Sequence, residues 1–200
     1  MRTTKDPLTR REDILQASYQ LFKEVGYEQT KVEHIAKQAG IAKGSFYNYF
    51  KSKEEVYEAV VSTVALHVLS VTEDILTQEN LPPKMRLISY LDWTFQFANE
   101  PEKSISRILS QETKASHRKI YQLALDESAA HMLPFFAALL QEGMDSKEFT
   151  IPNASYTAAF ILGAFRGIHM AFYNQLKVDI DTSKVYMYEL LAHLLGTKFD

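Results

Sequence analysis

The stretch that decides the fold is Thr30–Lys53, TKVEHIAKQAGIAKGSFYNYFKSK. Two short helical patterns meet here at Gly40. The first carries Val32, Ile35, Ala36 and Ala39 at helical spacing. Ala36 is small where a second helix must cross, and Gly40 lets the chain turn sharply. Ile41 and Phe46 supply apolar contacts that fix the angle of the pair. This is the layout of a helix-turn-helix, whose second helix can enter a DNA major groove. An ordinary helical hairpin shares the small–x3–Gly–hydrophobic spacing. The second segment separates the two readings. Lys43, Ser45, Tyr47, Asn48, Tyr49 and Lys51 fall within nine residues, and their ammonium, hydroxyl and amide groups are those that bond phosphates and base edges. Gly44 leaves room for close approach.

Helical signals extend outward on both sides. Thr9–Glu12, Thr30–Glu33 and Ser52–Glu55 each have the spacing of a capping box. Ile14, Leu15, Ser18, Leu21, Phe22 and Val25 form one apolar stripe, which predicts a helix over 10–25 ended by Gly26. A long helix is expected from Ser52 to about Thr77, and Pro82-Pro83 breaks the chain after it. Further helices are expected over 84–99, 101–110, 113–142 (with Pro134 as a kink), 154–175 and 182–195. Strand alternation, internal repeats and low-complexity tracts are absent from the sequence. The fold class is all-α: an N-terminal three-helix domain over 1–52 and a helical body over 53–200.

Composition agrees with a folded, cysteine-free chain. The 200 residues are 46% hydrophobic and 12% aromatic, enough for a sizeable core, and there is no cysteine. Disulfide scaffolds, thiolate nucleophiles and Cys-based metal sites are therefore excluded. No His/Asp/Glu set has metal-site spacing, and no metal or cofactor is expected. The sequence shows no secretory signal and no run of eighteen apolar residues, and its best apolar candidate, 158–173, is interrupted by Arg166 and His169. A cytoplasmic protein without a membrane partner is expected. Net charge is −3, but residues 1–53 carry ten Lys/Arg against six Asp/Glu, whereas the rest carries twelve against nineteen. A basic head on an acidic body points to an anionic partner for the head.

The run Ile14-Leu15-Gln16-Ala17-Ser18, Leu21-Phe22, Gly26-Tyr27, Thr30, Ile35-Ala36 and Ala39 through Val56 resembles the N-terminal domain of the TetR family of transcriptional repressors. The resemblance covers about a quarter of the chain, from Arg10 to about Val60. It implies a dimeric all-α regulator, not an enzyme. Three helices would bind a near-palindromic operator in double-stranded DNA, and a divergent body would bind a small apolar or aromatic effector. It also implies residue roles. Thr30 and Lys31 would open the second helix, where free backbone amides face a phosphate. Lys43, Gly44 and Ser45 would read bases. Tyr47, Asn48 and Tyr49 resemble the phosphate clamp, with Asn48 where many members have His, and Lys53 would reach the DNA backbone. Arg2, Lys5, Arg10 and Arg11 form a basic arm that could touch DNA or remain a solvated tail.

In the body, Tyr90, Trp93 and Phe97 recur at i, i+3 and i+7. With His117, Tyr121, Phe136, Phe165 and His169 they could line an effector pocket, or each could be ordinary core. Ala159, Gly163, Gly167 and Ala171 make a smooth stripe where another helix can approach. The resemblance places that stripe, with Tyr188, Leu191 and Leu195, in a four-helix interface of a homodimer. Two other readings remain: a DNA-binding protein of this fold without an effector, and a helical small-molecule-binding protein or enzyme. No Gly-rich phosphate loop, HExxH or nucleophile elbow supports an enzyme.

Overall fold

A computed structural model describes residues 6–99, 115–173 and 179–199. Among them are eight helices and no strand: α1 (Pro7–Val25), α2 (Val32–Gln38), α3 (Lys43–Phe46), α4 (Lys53–Leu76), α5 (Pro83–Asn99), α6 (Ala115–Asp145), α7 (Ala154–Tyr173) and α8 (Ile180–Leu195). The expected helix over 101–110 lies outside the described residues, as do Arg2 and Lys5.

Two of the three expected capping boxes are replaced by other chemistry. The first helix begins at Pro7, whose fixed φ suits a first helical position. Asp6 caps it, accepting from Leu8 N (3.1 Å) and Thr9 N (3.5 Å), so Thr9 sits inside the helix. At the second helix the cap residue is Lys31, with no side-chain capping bond. Ser52 does cap α4, its hydroxyl accepting from Glu55 N at 3.1 Å. Gly40 turns the chain at φ 68°, a left-handed angle that side chains rarely adopt.

Two apolar cores result. The head core joins Ile14, Phe22, Ile35, Phe46 and Phe50 to Val56, Tyr57, Val60 and Val61 of α4. Phe22 and Tyr27 both meet the Tyr57 ring edge-on, at 5.6 and 5.0 Å between centroids. The packing of the head therefore continues past residue 52 into α4, and Tyr121 of α6 joins it. The body core gathers Leu87, Leu91, Phe136, Ile161, Leu191 and Leu195 from α5 to α8. Arg86 fastens its end: the buried guanidinium donates to the Leu76 carbonyl at the end of α4 (3.0 Å) and to the Glu142 carboxylate on α6.

Contrary to the sequence expectation, α4 and residues 118–145 of α6 are long and apolar enough to cross a membrane by length and composition. Both place residues in the packed cores of the protein, α4 through Val56, Tyr57, Val60 and Val61, and α6 through Phe136, Leu139 and Leu140.

Candidate nucleic-acid interface

The outward side of the helix-turn-helix is built by α3 and the turn that follows it. The α-helix proper is only four residues long, because Gly44 and the Tyr-Asn-Tyr run favour helix weakly. The chain continues in tight turns, with Asn48 N donating to Ser45 O (3.3 Å) and Tyr49 N to Phe46 O (3.0 Å). Phe46 and Phe50 are fully buried and anchor this segment. With that face fixed inward, Lys43, Gly44, Tyr47 and Asn48 are exposed, and Ser45 and Tyr49 are half-buried. The Tyr47 ring meets Phe46 edge-on at 5.4 Å, and about half of the residue is exposed. A methyl group at Gly44 would meet nothing within 4 Å, so this part of the surface lies open. Lys31 is exposed at the start of α2, and Glu33 on the same helix holds the Lys43 ammonium at 3.6 Å.

Two of the expected contact residues face inward instead. Thr30 is completely buried, and its hydroxyl donates to the Gly26 carbonyl at 2.7 Å. Its amide is taken as well, donating to the Gly26 (3.2 Å) and Tyr27 (3.1 Å) carbonyls, so Thr30 supports the loop before α2 and offers no free amide to a phosphate. Lys53 likewise turns back. Its ammonium donates to the carbonyls of Tyr27 (2.6 Å) and Thr30 (2.8 Å) and lies 3.9 Å from the centre of the Tyr27 ring. It staples the loop between α1 and α2 to α4. A charged group bonded in this way contributes about 1.5–3 kcal/mol. Lys53→Met, which keeps the stem and removes the bonds, should lower stability by roughly 2 kcal/mol. Urea unfolding followed by circular dichroism measures this. Unchanged stability together with weakened DNA binding would restore Lys53 to the DNA backbone.

The basic arm is also partly accounted for. Arg10 pairs with Asp13 (3.2 Å) and donates to the Ala39 carbonyl (3.4 Å), and the Arg11 guanidinium lies 4.8 Å from the Phe50 ring centre. Both tie α1 to the helix-turn-helix.

The aromatic residues expected around an effector do not converge on one cavity. Tyr90, Phe136 and Phe165 pack on one another edge-on at 4.9 and 5.3 Å in the body core, and burial pushes the Tyr90 hydroxyl up to about 12. Trp93 stacks on Phe97 at 5.1 Å. Tyr121 meets His169 Nδ1 at 3.4 Å, and burial holds that imidazole below its usual pKa. The side chain of His117 lies outside those described. The helical phase of α5 explains the split: Tyr90 shares the buried face with Leu87 and Leu91, whereas Trp93 and Phe97 are only half-buried. Phe97 instead lines a cavity of about 410 Å³ between α1 and α4.

On α7 the small stripe does face outward. Ala159, Gly163 and Gly167 are exposed and Ala171 is half-buried, and a methyl group at either glycine would meet nothing within 4 Å. Tyr156 (72% exposed) and Phe160 (71%) extend the stripe as an apolar face. The assignment on α8 needs correcting. Leu191 and Leu195 are buried in the body core, and Tyr188 packs against it and donates to Asp92 at 2.9 Å. The outward apolar residues of α8 are Val185, Tyr186, Leu190 and Leu194. Both faces of α8 are apolar in sequence, and only the packing tells which one turns inward.

An exposed helix-turn-helix on a helical body defines a DNA-binding architecture, and comparison with known proteins agrees. Residues 14–60 match the family of bacterial regulatory proteins, tetR family. The uncharacterized HTH-type transcriptional regulator YerO of Bacillus subtilis (strain 168) is 24% identical over 190 residues, covering 93% of this chain and 64% of YerO. The uncharacterized HTH-type transcriptional regulator YdgC of the same organism is 31% identical over 101 residues, covering 49% of this chain and 51% of YdgC. The chain thus spans less than two thirds of the length of either relative. A transcriptional regulator of the TetR family from Agrobacterium tumefaciens shares the fold, with a TM-score of 0.67 at 17% identity over 95% of this chain and all of that one. Over residues 14–60 the chain is similar to bacterial regulatory proteins of the tetR family, and over nearly its whole length it shares their fold.

Proposed function

We propose that the protein is a sequence-specific transcriptional repressor that binds near-palindromic operator DNA as a homodimer. The observation that carries this reading is the pairing of the exposed residues Lys43, Gly44, Tyr47 and Asn48 with an outward apolar face on α7 and α8. One segment of this length reads only a few base pairs, so specific binding calls for two copies, and the apolar face supplies the means of pairing them. Lys43, Gly44 and Ser45 are the base-reading positions. Lys31, Tyr47, Asn48 and Tyr49 position the head on phosphates. Thr30 and Lys53 support the loop behind them.

Release from DNA by a small apolar or aromatic effector is part of the proposal. A second reading, the same repressor without an effector in the body core, is favoured by the close edge-on packing of Tyr90, Phe136 and Phe165. Melting-temperature shifts across a ligand panel separate the two.

The DNA reading is tested by affinity as a function of salt and sequence. Lysines at a phosphate surface release counterions, so log K should fall with log salt. Lys43→Ala should cost about 1–3 kcal/mol at one or two operator positions while changing nonspecific affinity less. Fluorescence anisotropy on an operator-variant series measures both. A salt-independent affinity would remove the DNA-binding reading, and an unchanged base preference would move specificity away from Lys43.

A further inference from the structure

We propose that the cavity between α1 and α4 binds a small organic cation carrying an apolar tail. The cavity holds about 410 Å³, within the roughly 300–1,000 Å³ usual for small-molecule sites. Leu15 of α1 and Val60 and Val64 of α4 form apolar walls, and Tyr19 and Phe97 add two aromatic rings. Glu12 is the one carboxylate among the described lining residues, and no lysine or arginine is among them. Aromatic faces and a carboxylate both favour a cation, and a quaternary ammonium is the group such surroundings recognise. The same carboxylate disfavours a fatty-acid-like anion of equal length. His67 and Tyr19 are the other titratable groups among the described lining residues.

The placement gives such a ligand leverage. Its walls come from α1 of the head and from α4 and α5, so an occupant touches the head and the body at once. The aromatic residues singled out in the body do not build this site, Phe97 excepted.

Trp93, the single tryptophan of the chain, is stacked on Phe97 and reports on the cavity without a label. The experiment titrates the free protein at pH 8 with decyltrimethylammonium below its micelle concentration, and separately with decanoate. It uses no DNA, so its outcome is independent of the repressor reading. The expected result is saturable quenching by decyltrimethylammonium with one site per chain, and at least tenfold weaker binding of decanoate. Glu12 is exposed, so Glu12→Gln should weaken the ammonium about two- to fivefold. Val64→Trp, which fills the cavity, should abolish ligand-dependent melting stabilisation; where that variant does not fold, Glu12→Gln carries the test. Absence of saturation, equal or tighter binding of decanoate, or an unchanged ammonium affinity in Glu12→Gln would each overturn the proposal.

Discussion

Gly163→Leu is expected to leave a folded protomer that no longer pairs and no longer holds an operator. Within one chain nothing stands within 4 Å of a side chain begun at Gly163, and leucine favours helix over glycine by about 0.8 kcal/mol. Intramolecular stability should therefore hold or rise slightly. Across the proposed interface the leucine would meet the partner's helix where the smooth stripe allows close approach. We expect the dimer dissociation constant to rise at least a hundredfold, about 2.7 kcal/mol. Operator binding should fall further, because each released head keeps only its own half of the contacts. Sedimentation at micromolar concentration, with circular dichroism as the folding control, measures this. A dimeric Gly163→Leu protein would place the interface elsewhere.

Glu142→Ala is expected to cost about 3 kcal/mol of stability, at the low end for breaking a buried ion pair because Glu142 itself is half exposed. The Arg86 side chain is only 5% exposed. Without Glu142 it keeps the Leu76 carbonyl as its remaining bonded partner among the described residues, and its Nε is already buried without an acceptor. The buried cation would have to draw in water or open the contact between the end of α4, the start of α5 and the end of α6. Glu142→Gln, which retains an acceptor, should lose less. Urea midpoints measured by circular dichroism order the three proteins. A loss below about 1 kcal/mol would mean that Arg86 is adequately solvated without its partner, as in an exposed pair.

The helix-turn-helix was legible because its signals are local. Gly40 marks the turn, Ala36 the crossing, and Phe46 and Phe50 share one inward side, so Tyr47 and Asn48 must face out. What sequence could not supply was the destination of side chains that bond across loops. Thr30 and Lys53 have the right chemistry for a phosphate, yet both are taken up by the carbonyls of the loop between α1 and α2. Nothing in the spacing of Lys53 and Tyr27 announces that contact. The same limit applies to the first capping box: Thr9–Glu12 matches the pattern, but Asp6-Pro7 upstream offers a carboxylate acceptor and a preset φ, and the helix starts there.

In the body, periodicity separates faces only when one of them is polar. On α7 the outward face is marked by glycine and alanine, so Gly163 and Gly167 could be placed from sequence, although Tyr156 and Phe160 beside them were not singled out as part of it. On α8 both faces are apolar. The stripe Tyr188-Leu191-Leu195 turns inward, while Leu190 (64% exposed) and Leu194 turn out. The aromatic residues of α5 show the related difficulty that core and pocket draw on the same residue types: Tyr90 fills the core, and Phe97, seven positions on, lines a cavity.

The most direct test of the central claim is selection of binding sites by the wild-type protein from a pool of random duplexes, with the stoichiometry of the selected complex measured by sedimentation. The account predicts a near-palindromic motif bound by two chains, its half-sites centred about 34–36 Å apart or a multiple of that spacing. Recovery of no preferred sequence, or of a single half-site held by one chain, would contradict it.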